Sequence, residues 1–179
     1  MTTELELKLV EKYPTILKDY RGDKMKTCMH WGMECGDGWY DLLDELLAKL
    51  DFISKSSSVQ VVADQIKEKF GTLRFYYSTI KKDDDKIDSI VKSTRLGPLR
   101  FYYSTIVKSD FSVDSIVDKI INDLVANAER KSAYTCEQTG KRGDLCKRGG
   151  WLRTLSREEA IKDGYSPVDP EVADEWNES

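Results

Sequence analysis

Gly71-Thr72-Leu73-Arg74-Phe75-Tyr76-Tyr77-Ser78-Thr79-Ile80 decides the fold, and the chain writes it twice: Gly97-Pro98-Leu99-Arg100-Phe101-Tyr102-Tyr103-Ser104-Thr105-Ile106 follows 26 positions later. The echo continues from Ile87-Asp88-Ser89-Ile90-Val91 to Val113-Asp114-Ser115-Ile116-Val117, so each copy reads as a strand, a polar connector and the start of a helix. Phe and Tyr in a Leu-to-Ile block suit a pleated, partly buried surface. Alternation in the first copy sets Leu73, Phe75, Tyr77 and Thr79 on one face and Arg74, Tyr76 and Ser78 on the other. Arg100 and Tyr102 hold the matching places in the second copy.

A strand needs a partner, and residues 59–70 are the nearest candidate. Val62, Ile66 and Phe70 fit a helix, whereas Val59, Val61 and the Phe70-Gly71-Thr72 corner fit the first arm of a hairpin. The hairpin is the preferred reading, because a short turn closes the smallest loop. Upstream, Trp39, Leu42, Leu43, Leu46, Leu47, Leu50 and Ile53 form an apolar stripe that predicts a helix through about Lys55, with Asp37 as its cap. Near the start, Thr3-x-x-Glu6 has the form of a capping box, and Leu9, Val10, Tyr13, Ile16, Leu17 and Tyr20 predict two short helical pieces divided at Pro14. A longer helix follows the second copy, from Val113 to near Ser132, capped by Ser112 or Asp110. Only this second helix is long enough to cover a strand, so the duplication reads as an insertion of strand plus turn into an existing unit.

The expected architecture is α+β: a small, mostly antiparallel sheet with helices on one side, within one domain over 1–157. Residues 132–157 form an irregular, basic, ribbon-like appendage, and 158–179 an acidic tail. The appendage carries Lys141, Arg142, Lys147, Arg148 and Arg153, while the tail reverses sign from Glu158 onward. Net charge is −4, no stretch approaches the ~20 apolar residues of a membrane span, and the start lacks the order of a secretory signal. A cytoplasmic protein is the expectation, with its four cysteines as thiols.

Chemistry-bearing motifs are sparse. The single histidine, His30, lies between Cys28 and Cys35, which leaves a metal at these three residues open, although the spacing is that of no standard finger. Cys35 stands at a helix start, where thiolates are favoured, but Glu34 and Asp37 oppose that and a buried structural thiol is expected. Phosphate loop, nucleophile elbow and His-Glu-x-x-His helix do not occur in the sequence. The reading is of a protein without catalytic residues and without a cofactor.

Cys35-Gly-Asp-Gly-Trp39, Lys67-Glu-Lys-Phe-Gly-Thr-Leu-Arg-Phe-Tyr76, Cys136-Glu-x-x-Gly140 and Gly149-Gly-Trp-Leu-x-Thr154 stand in that order between Trp31 and Ala160. In this combination the chain resembles a family of small uncharacterised proteins from tailed bacteriophages. The resemblance implies phage origin and expression inside a bacterium, and it carries no particular reaction. Members similar to this end in a ribbon-like Cys-x-x-Cys pair and a later Cys-x-x-His pair; here Cys136 keeps the first place, and Thr139, Ser156 and Glu159 fill the others. One thiol cannot hold tetrahedral zinc, so the expected shape is kept without metal by packing of Trp151 and Leu152.

Two functions follow as expectations. The first is a non-enzymatic effector that binds a host protein, such as a defence component, through Arg74, Tyr76, Arg100, Tyr102 and Trp151, since Tyr, Trp and Arg dominate interface energetics. The second is a nucleic-acid binder that stacks bases on the aromatic strands and follows phosphates with Lys141, Arg142, Lys147, Arg148 and Arg153. The extra strand also offers an edge for pairing two copies of the chain.

Overall fold

The structure is a computed structural model, in which residues 1–82 and 113–178 are described. The second copy of the repeated strand, with Arg100 and Tyr102, lies outside the described residues, as do the helix expected after the first copy and the cap residues Asp110 and Ser112.

The protein is α+β, with two small, mostly antiparallel sheets of three strands each where one sheet was expected. In chain order the elements are α1 (Thr3–Lys12), β1 (Met33–Glu34), α2 (Tyr40–Ser56), β2 (Val59–Lys69), β3 (Thr72–Lys81), α3 (Val113–Ser132), β4 (Asp144–Arg148), β5 (Trp151–Leu155), α4 (Arg157–Asp163), β6 (Ser166–Pro167) and α5 (Pro170–Glu178). The first sheet has the order β1-β2-β3 and the second β5-β4-β6.

Residues 59–69 form a strand. β2 and β3 pair antiparallel from Val59↔Lys81 to Lys69↔Thr72, and one extra residue, Asp64, makes a bulge between Ala63 and Gln65. The turn is Phe70-Gly71, with φ of 56° and 82°. Two consecutive positive φ values are what a two-residue hairpin needs to match the twist of its strands. The alternation read from the sequence is present: Leu73 and Phe75 are buried, with Ile66 of β2 behind them, while Tyr76 faces out.

The inner face of this hairpin is covered by α2 and α3, so these two helices lie on one side of its sheet. The leucine stripe does what its period demands: Leu43, Leu46, Leu47 and Leu50 are buried, each contributing about 1.5–3 kcal/mol. From α3 come Ile121, Val125 and Ala128. Two α3 side chains also reach the open edge of β3, where Ser132 Oγ accepts from Leu73 N (2.8 Å) and Glu129 Oε1 from Phe75 N (3.1 Å).

Three local expectations change. α1 starts from Thr2 with no side-chain cap, and Glu6 is buried, accepting from Met33 N (2.6 Å) and Tyr20 Oη (2.7 Å), so it ties three segments together where a capping box was read. After Pro14 the chain makes turns and no second helix, although Ile16 and Leu17 still enter the core. Asp37 opens a short 3-10 turn and accepts from Thr2 N (2.6 Å), while Trp39 holds the cap position of α2.

The second unit is organised as well. Its core is Cys136, Cys146, Leu155, Ala160 and Tyr165, with Trp176 packed against it. The stretch read as an acidic tail therefore folds back: Ala160 and Tyr165 are buried, β6 pairs with β4, and α5 brings Trp176. Trp151 is 74% exposed and leaves the packing to these residues.

The turn yields a test of the register. Replacing Phe70 by Asn, a residue that adopts positive φ readily, is expected to raise stability by about 0.5–1 kcal/mol in urea unfolding. Gly71→Ala is expected to lower it by more than that, because its Cβ would run into Leu145 as well as the backbone strain.

Candidate interaction surface

The hairpin presents one face away from the core. Cross-strand register places Gln65 opposite Tyr76, Lys67 opposite Arg74 and Lys69 opposite Thr72, all on the side that Leu73 and Phe75 do not use. Tyr76 is 45% exposed, and the Lys67 ammonium lies 5.4 Å from its ring centroid. Arg74 is half-buried, its Nη1 donating to Thr72 Oγ1 (2.7 Å) and to Leu73 O (2.8 Å). At the tip, Phe70 is 67% exposed with the Lys69 ammonium 5.4 Å from its ring. Trp151 stands apart at the β4–β5 turn, opposite Arg148, and makes no ring contact with Tyr76.

Where the basic residues of 141–153 go weighs on the nucleic-acid reading. Arg153 Nε donates to the buried Glu137 carboxylate (3.0 Å), Lys141 lies 3.6 Å from Glu158, and Arg148 donates to Asp163 O (2.5 Å) beneath the Tyr165 ring. Arg142 and Lys147 are exposed. Arg153 is thus committed inside the second unit, whereas Lys141 and Arg148 have partners and stay exposed.

The segments around Gly36-Asp-Gly38, Gly71, Cys136-Glu137 and Thr154 meet in space. Glu137 Oε1 accepts from Gly36 N (2.9 Å), its carbonyl accepts from Gly38 N (2.8 Å), and its own N–H donates to Thr154 O (2.9 Å). Gly36 and Gly38 are required, because a Cβ at either would strike the backbone of Glu137, Cys136 or Gly140 more closely than real Cβ contacts go. Trp39 Nε1 donates to Thr135 O (2.8 Å), and Thr154 Oγ1 to Gly71 O (2.6 Å). Beside them Glu68 accepts from Gly71 N (2.5 Å), and burial pushes its carboxyl above the ordinary range. The quoted motifs build the joint between the two units.

Among the described residues, no group of three or more His, Cys, Asp or Glu could hold a metal ion. Cys28 is exposed, His30 Nδ1 faces Gly22 O (2.6 Å), and burial pushes the Cys35 thiol up to about 12, the behaviour of a structural cysteine. Cys136 differs. Burial alone would raise its pKa, but the Thr139 hydroxyl and the N–H groups of Ser156, Thr139 and Gln138 outweigh it and hold the thiol below its ordinary value. Ser156 Oγ is buried beside it without a hydrogen-bond partner, and a single thiol does not make a zinc site.

No family model matches the chain, and neither a curated protein nor a solved structure matches it.

Sequence reasoning found Arg74 and Tyr76 but passed over Lys67, Lys69 and Phe70. The signal was the same alternation, carried back through the turn, and it was hidden while 59–70 could still be a helix.

Two outcomes are expected. Glu137→Ala, which strips Gly36 N–H and Arg153 of their partner, should cost about 3 kcal/mol in urea unfolding, and Gly38→Ala should be comparably damaging. The triple change Thr139→Cys, Ser156→Cys and Glu159→His should take up one zinc per chain in competition with a chromophoric chelator, while the parent protein's melting temperature is unmoved by zinc or chelator.

Proposed function

We propose that the chain is a phage-encoded, non-enzymatic effector that works in the cytoplasm of a bacterial host. It binds a host protein and inhibits or redirects it, with a component of bacterial defence as the fitting kind of target. The observation that carries this reading is Tyr76: a tyrosine on a rigid hairpin, 45% exposed on the face opposite the core, is free for a partner. Interfaces draw much of their energy from such rings and from neighbouring Arg side chains, here Arg74. Trp151, 74% exposed at a turn of the second unit, is a second anchor. Supporting it, the most distinctive motifs are occupied in joining the two units, which leaves surface contact as the work on offer. No helix among the described residues is long and apolar enough to cross a membrane. Nucleic-acid binding is the weaker alternative, since Arg148, Arg153 and Lys141 have partners within the chain.

The test is affinity capture of the tagged protein from its bacterial host in low and high salt, with bound protein and nucleic acid both identified. One stoichiometric host protein retained in high salt is the expected result. Tyr76→Ala should weaken its purified complex at least about tenfold without lowering the melting temperature. Capture of nucleic acid alone, lost as salt rises, would overturn the reading.

A further inference from the structure

Phe70 is hard to explain by folding alone. It sits at φ 56° in a turn that Asn or Gly would make without strain, and its ring stays 67% exposed. Turn geometry argues against a phenyl ring here, and burial gives it little in return. Its surroundings say what such a ring is for.

The hairpin face next to it gathers three cations, Lys67, Lys69 and Arg74, with Tyr76 among them. None of the three makes an ion pair among the described residues, whereas Lys12, Lys49, Lys131 and Lys162 each sit on a carboxylate. Glu34 of β1 stands in register with Lys67 but accepts from Gln65 instead (3.4 Å), and Asp64 takes the Ser78 hydroxyl (3.1 Å). The two ammonium groups lie against the Tyr76 and Phe70 rings, and the Arg74 guanidinium is held through Nη1, which leaves Nη2 and Nε for a carboxylate.

We propose that this face docks an extended acidic segment of a partner protein, one whose carboxylates alternate with apolar residues. The proposal rests on the protein-binding reading above and adds where the partner sits and what its chemistry is. Carboxylates of the segment meet Lys67, Lys69 and Arg74, and two separate apolar side chains cover Phe70 at the tip and Tyr76 about two registers further along β3. Charge complementarity sets the orientation, and the two rings anchor the segment at its two ends. A nucleic acid fits less well. The chain carries a net charge of −4, and of the basic residues in 141–153 that would continue the track Arg153 is held by Glu137 and Arg148 by the carbonyl of Asp163.

A displayed random-peptide library panned on the intact protein tests this. Enriched sequences are expected to alternate Asp or Glu with apolar residues. A synthetic peptide of the winning sequence should bind Phe70→Asn and Tyr76→Ala about tenfold more weakly, with both variants melting no lower than the parent. Reversing all three charges (Lys67→Glu, Lys69→Glu, Arg74→Glu) should abolish its binding and create binding of the same peptide with Lys in place of its acidic residues. Enriched peptides without acidic residues, binding that ignores these variants, or a library that enriches nothing each overturn the proposal. In the first two cases protein binding itself stands and only this surface fails. Binding of an oligothymidylate probe at this face, weakening with salt while no peptide is enriched, would remove the protein-binding reading too.

Discussion

The carboxylate of Glu137 is the point on which both units of the protein depend. It is buried, and a buried carboxylate is tolerable only with its oxygens satisfied. One oxygen takes the N–H of Gly36 from the first unit and the other takes Arg153 from the second. Its backbone is used as fully, since the carbonyl receives Gly38 N–H and the amide reaches Thr154. With the loop before α2 so fixed, Trp39 enters the first core while its indole N–H still bonds Thr135. The two glycines in Gly36-Asp-Gly38 follow from this closeness, because any side chain would hold the backbones apart.

Much of the fold was legible because it rests on periodicity. The stripe from Trp39 to Leu50 has no reading except a half-buried helix, and the Leu73-Phe75 alternation has none except a strand with one buried face. Apolar spacing left 59–70 undecided, since Val62 and Ile66 serve either period. The corner decided it, because a Gly at positive φ closes a hairpin and the bulge at Asp64 absorbs the break in alternation. Polar residues were misread where their partners are distant in sequence. Glu6 and Asp37 looked like local helix caps, and the structure sends them to Met33, Tyr20 and Thr2. The acidic stretch after Glu158 looked like a tail because charge dominates its composition. Three buried or packed side chains, Ala160, Tyr165 and Trp176, are enough to fold it.

The candidate surface was half legible. Arg74 and Tyr76 followed from alternation once a strand was accepted, whereas their neighbours across the hairpin depended on pairing register, which a single sequence does not state. Trp151 was read both as packing for the ribbon-like end and as a contact for a partner, and the Gly149-Gly150 turn carries it out to solvent, against the first of these. The cysteines tell a similar story. Cys35 and Cys136 are both buried, yet burial raises the thiol pKa of the first, while the Thr139 hydroxyl and three backbone N–H groups hold that of the second down, a difference set by tertiary neighbours.

The way α3 is fastened bears on how this chain came to hold its strand sequence twice. Ser132 and Glu129, at the far end of the helix, clasp the β3 edge, and Val125 and Ala128 seat the same half in the core, with Ile121 buried near the middle. Most of the helix's fastening to the hairpin thus lies from Val117 onward, with Asn122 accepting from Tyr77 Oη (2.6 Å), several residues past its entrance. A loop lengthened at that entrance adds only a slowly growing closure cost. A segment can be copied into this place without moving a single contact of that fastening.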